Sequence, residues 1–150
     1  MRSLWPALLA IVCAFAFPVR AEESQPIGFV ETLLGAVTVN HSGAASAATL
    51  GMPLYENDRV ETGTDGELGI TFRDNTRISL GPNSRVELTQ FVFKPAAEQY
   101  GFLLRLAYGT LECISGLTAK LAPDAMSVET PGFTVGARGT RFLVRAEKKE

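Results

Sequence analysis

Hydrophobic and polar positions alternate along most of this chain. Leu68, Ile70 and Phe72 are interleaved with Gly69 and Thr71, Ile78 and Leu80 with Arg77 and Ser79, and Val86 and Leu88 repeat the pattern. A period of two marks a half-buried strand, because successive side chains point to opposite faces. Turn residues separate the runs: Thr62 and Gly63 open "TGTDGE", Asp74 sits in "RDNT", and Gly81, Pro82 and Ser84 belong to "GPNS". Asp, Asn and Gly tolerate positive φ there, and Pro presets a negative one. Ile70, Ile78 and Val86 lie 8 residues apart twice over. Such spacing predicts an all-β fold, either a twisted β-solenoid-like structure or a small sandwich of short strands joined by tight turns.

The remaining segments fit that class. "VTVN" (37–40) reads as a strand, and "HSGAASAATLG" (41–51), with no periodic apolar face, as a surface loop. "FLLRLAYG" and "TLECI" read as two strands flanking Gly109. "SGLTAKLAPDA" (115–125) is the one stretch that admits a helical turn, limited by Pro123. "RFLVR" ends the regular pattern, and "AEKKE" is a charged tail.

The N-terminus changes the picture of where the chain works. Arg2 precedes the apolar run "LWPALLAIVCAFAF", and "VRA" places Val19 and Ala21 at −3 and −1 of a cleavage site before Glu22. A transmembrane anchor needs about 20 apolar residues, and Pro18 and Arg20 close this run early. Residues 1–21 are therefore expected to be a cleaved signal peptide, leaving a periplasmic chain, 22–150, that does not span the membrane. It forms a single domain with its core over about 28–145. Without Arg2 and Arg20 the chain carries 12 basic against 16 acidic side chains, a net charge of −4. That excludes a partnership with nucleic acid driven by phosphate neutralisation.

Candidate chemistry is sparse. The single histidine, His41, falls in the small-residue segment, and Cys113 is left alone after cleavage in the apolar run "LECI". One His and one Cys cannot build a zinc site, and a nucleophile has no base tied to it by any motif. "ENDRVETGTDGE" (56–67) carries five carboxylates without the Asp/Asn pattern of an EF-hand loop. "GARGT" lacks the Lys-Ser/Thr end of a phosphate loop. Phe72, Phe91, Phe93, Phe102, Phe133 and Phe142 fall mostly at alternating positions, which favours core filling over a stacking platform. The expectation is a protein that is not an enzyme and takes no cofactor and no metal.

Beside "VETGTDGELGITFRDNTRISLGPNSRVEL" (60–88), the stretch "TPGFTVGARGTRFLV" (130–144) makes the chain resemble a FecR-domain protein. The matching positions are Thr62, Gly63, Asp74, Gly81, Pro82 and Ser84, then Thr130, Pro131, Arg138, Gly139, Thr140 and Phe142. The resemblance covers roughly residues 28 to 145. It implies a periplasmic module of a signal-transduction regulator, which in well-known members relays occupancy of an iron-siderophore receptor, and a twisted solenoid-like β-structure. The expectation is a stand-alone FecR-like domain without the regulator's anti-sigma segment, transmembrane helix and C-terminal receptor-contact domain, so the anti-sigma activity is not carried over. The reading is a noncatalytic protein-binding sensor or scaffold whose partner is another envelope protein, with a homodimer through an open strand edge. The alternative is an exported carbohydrate- or peptidoglycan-binding module.

Arg138 leaves two readings open. Gly136 and Gly139 permit positive φ on either side of it, so its guanidinium could fold inward onto a carboxylate such as Asp74. Otherwise it is an exposed contact for a partner, with Thr130, Pro131, Gly139, Thr140 and Phe142 around it.

Overall fold

The computed structural model describes residues 23–137 and 139–149. The expected signal peptide and Arg138 lie outside the described residues. In chain order the strands are β1 (Gly28–Leu34), β2 (Val37–His41), β3 (Ala44–Ala47), β4 (Pro53–Leu54), β5 (Arg59–Thr62), β6 (Glu67–Phe72), β7 (Arg77–Leu80), β8 (Arg85–Lys94) and β9 (Gln99–Ile114). A short helix, α1 (Leu117–Leu121), precedes β10 (Met126–Glu129), β11 (Thr134–Gly136) and β12 (Arg141–Ala146). Among the described residues no helix is long and apolar enough to cross a membrane.

The all-β expectation holds, as a curled antiparallel sheet that makes a half-barrel; the solenoid describes it only loosely. The order is β3-β2-β5-β8-β9-β7-β6-β1-β4, with β10 and β12 also paired to β9 and β11 paired to β10. All ladders are antiparallel except β9 with β10. β9 is the spine. Its residues 99–108 pair with β8, and residues 111–114 pair with β7. On its other side β10 takes residues 102–105 and β12 residues 109–114.

Two wings thus share one strand, and they fold face to face. Phe72 on β6 meets Phe102 on β9 edge to face with centroids 4.8 Å apart, and stacks on Phe91 of β8 at 5.8 Å. Around them Leu68, Ile70, Ile78, Leu80, Val86, Leu88, Leu104 and Leu106 are buried. Each such side chain contributes about 1.5–3 kcal/mol relative to exposure, so the domain holds a core with its lone described cysteine, Cys113, unpaired and buried.

The 8-residue spacing has a different origin from a coil repeat. Ile70 and Ile78 are direct cross-strand partners in the β6–β7 hairpin. Val86 lies past a corner, in the other wing, opposite Val60 and Leu106. At that corner the inward-facing parity of β9 changes, from Phe102, Leu104 and Leu106 to Leu111 and Cys113. A β-bulge causes the change: Arg85 pairs with Tyr108 while Val86 pairs with Leu106, so Ala107 is the extra residue. Gly109 follows with φ +100.

Two local expectations are revised and a third, the helical turn before Pro123, holds. The segments 102–109 and 110–114 are one bent strand, because the bulge turns the chain without ending its pairing. The segment 41–51 holds β3, whose four exposed small residues pair with β2 and so leave no hydrophobic signal. The turn at 115–125 is α1 plus a 3-10 turn over Pro123–Ala125.

Candidate functional site

Five of the six residues of the first motif group, all but Asp74, meet at the corner, and the polar groups there bond internally. Thr62 ends β5, and its Oγ1 accepts from the Ser84 N–H at 2.9 Å and donates to the Gly81 carbonyl at 2.7 Å. Ser84 is fully buried. Its Oγ accepts from the Thr110 N–H at 2.9 Å and lies 3.3 Å from both the Thr110 and Pro82 carbonyls. Gly81 N–H donates to the Thr110 carbonyl at 3.1 Å. These bonds replace the ladder that the bend interrupts between β7–β8 and β9, and a buried backbone group left unpaired would be costly. Gly63 donates to the Ala36 carbonyl at 2.8 Å, and a Cβ on it would approach that oxygen and the Ala36 Cβ to 3.3 Å. Close approach of two turns therefore explains this glycine.

Asp74 is also internal. It is 0% exposed, and its carboxylate accepts from Thr76 N–H (3.0 Å), Thr76 Oγ1 (2.8 Å) and Thr118 N–H (3.2 Å). Its own carbonyl accepts from Leu117 N–H at 2.7 Å. Gly116, the N-cap of α1, has no side chain to offer, so the turn after β6 supplies the cap from 44 residues away. Burial first, and the Asp74 charge second, push the Cys113 thiol up to about 12. A thiol held protonated is a poor nucleophile.

The second group behaves differently. Thr130 and Phe133 close a turn between β10 and β11: Thr130 N–H donates to the Phe133 carbonyl at 2.9 Å, and Thr130 Oγ1 accepts from the Phe133 N–H at 3.1 Å. Pro131, at the second position of this turn, is exposed along with Gly132 and Phe133. Ser115 holds the next segment, its Oγ donating to the Gly139 carbonyl at 2.8 Å and its N–H to the Thr140 carbonyl at 2.9 Å. Gly139 and Thr140 are exposed, and Phe142 is half-buried opposite Cys113. Gly136 ends β11 without the positive φ expected beside the arginine; it runs extended because it is laddered to Ser127. Ala119, Pro123, Ala137 and Thr140 border an apolar hollow of about 370 Å³ next to this segment.

The five acidic residues of 56–67 are dispersed. Glu56 accepts from Phe91 N–H, Asp65 from Ala36 N–H, and Glu61 from Arg85 and Tyr108, while Glu67 lies exposed on β6. Asp58 is buried, and its carboxylate takes the Tyr55 N–H at 2.8 Å and His41 Nδ1 at 2.5 Å. His41 therefore ends a strand and hydrogen-bonds a buried carboxylate, where the sequence placed it in a loop. Among the described residues, no group of three His, Cys, Asp or Glu could hold a metal ion.

One cluster escaped the sequence reading. Arg85 on β8 meets Glu61 on β5 at 2.9 Å, and the Tyr108 hydroxyl donates to the same carboxylate at 2.9 Å. The Tyr108 hydrogen bond first, then Arg85, hold the Glu61 carboxyl below its ordinary value. With Thr62, Pro82, Arg145 and Lys148, Glu61 and Tyr108 border an open groove of about 830 Å³. The signal lay in the outward positions of two strands, Arg59 and Glu61 against Glu87 and Arg85, whose opposite charges pair across a ladder.

A family model described as FecR protein matches residues 58–150, a span that holds both groups of motif residues. No curated protein and no solved structure matches the chain.

Proposed function

The chain belongs to the FecR family, and from that premise we propose that it is a noncatalytic signalling module of the periplasm that binds another protein of the cell envelope. The partner face we assign to the β10–β11 turn and the segment leading into β12, with Thr130, Pro131, Gly139, Thr140 and Phe142 as its frame. The observation that carries this reading is a division of labour. Thr62, Asp74 and Ser84 are buried and bonded inward, whereas Pro131, Gly139 and Thr140 are exposed. Phe133, at the tip of the turn, is 51% exposed. Large exposed aromatic side chains on a rigid turn are the residues that anchor protein interfaces.

The aromatic core weakens the glycan-binding alternative. Phe72, Phe91 and Phe102 are buried against one another and offer no stacking surface. Periplasmic placement rests on the signal-peptide pattern of residues 1–21.

A photo-crosslinking residue at position 133, in cells that make the full chain, tests the face. The expected result is one discrete captured envelope protein, retained after digestion of the cell-wall glycan. Co-sedimentation of the chain with purified sacculi and no protein adduct would overturn it.

A further inference from the structure

β12 pairs with β9 through all six of its residues. Among the described residues it pairs with no other strand, so every second backbone N–H and C=O group on its outer side is outside any ladder. Such an edge templates pairing with another strand unless something covers it. The side chains along it are sorted by face. Val144 and Ala146 are buried and Phe142 half-buried, while Arg141, Leu143 and Arg145 point outward, Leu143 with 68% exposure.

We propose that two copies of this chain associate through β12, antiparallel, about a two-fold axis at Val144. An isologous contact of this kind requires the strand to complement itself, and this register does so on both faces. On the inner face Val144 meets its own copy and bulky Phe142 meets small Ala146, which continues the core layer from one molecule into the next. On the outer face Arg141 stands across from Glu147 of the second copy, and Leu143 lies along the aliphatic stem of Arg145. Arg141 already bonds Glu112 on β9, so its guanidinium bridges that carboxylate and Glu147 of the second copy. Shifting the axis to Leu143 instead sets Arg141 against Arg145, and like charges directly opposite one another are destabilising. Charge therefore selects the register as well as the occupant. A six-residue edge buries less than a standard interface, which makes the dimer weak and concentration-dependent.

The test is sedimentation equilibrium of the purified chain with oxidative cross-linking. The chain is expected to pass from monomer to dimer across the micromolar range. Glu147→Arg, which places Arg against Arg at two symmetric positions, is expected to raise the dimer dissociation constant about tenfold. A Leu143→Cys, Arg145→Cys double variant is expected to cross-link between copies, while neither single variant does, because only the Val144 axis brings 143 opposite 145. A monomer at every concentration overturns the proposal. So does a dimer indifferent to Glu147→Arg, or cross-linking by Leu143→Cys alone.

Discussion

A methyl group on Gly109 would arrive 2.1 Å from the Ser84 hydroxyl oxygen and 2.4 Å from the Ser84 Cα, on a residue whose φ is already +100. Neither neighbour can retreat, because Ser84 is fixed by Thr62 and Thr110 together. Gly109→Ala is accordingly expected to destabilise the domain by about 3 kcal/mol or more, read from the urea midpoint. A result within about 0.5 kcal/mol of the parent would show that the corner relaxes freely. Gly81, Pro82 and Ser84 were legible in the sequence as a turn. Why the fourth residue must be serine was not, since its partner Thr110 is 26 residues away and turn chemistry speaks only for near neighbours.

Elements of this fold depend on one another's ends. A helix of five residues is far too short to persist on its own, and α1 exists because Asp74 takes the Leu117 and Thr118 amides through its carbonyl and carboxylate. Asp74→Ala leaves buried donors of Thr76 and Thr118 without their acceptor. The expected loss is roughly 2–4 kcal/mol, with amide exchange accelerated first at Thr118. Exchange at Thr118 unchanged from the parent would remove Asp74 from the capping role. β6 and β7 could be read from alternation alone, because each buries alternate side chains and is closed by turn residues. The long spine could not. The Ala107 bulge reverses which parity faces inward, and Thr89 does the same on β8, where Leu88 and Phe91 are both buried. A pattern reader sees two short runs where the molecule has one bent strand.

For the whole molecule, the curled sheet buries Thr62 and Ser84 at its corner and Asp74 in the β6–β7 turn, and leaves Pro131, Gly139 and Thr140 exposed toward its C-terminal margin, a separation that linear order barely hints at. The family resemblance was legible because both groups occur in order. The partner face was not, because exposure is decided by which strand ends where. Export is the one whole-chain proposal that the N-terminal pattern supports, and intact-mass measurement of the chain recovered from cells checks it. The expected species begins at Glu22; a species retaining residues 1–21 would replace a cleaved leader with an anchor.

The spine also imposes an order in time. Among the described residues the two wings meet in the ladder only through β9, and β9 begins at Gln99, about two thirds of the way along the chain. Until it is available, β7 and β8 are the bare flanks of two separate sheet fragments. Closing them demands contacts between residues far apart in sequence, which is the slow kind of folding. Synthesis therefore runs well ahead of structure, and a chain that stays unfolded until its last third arrives is one that can still be threaded through a membrane pore, as the proposed export requires.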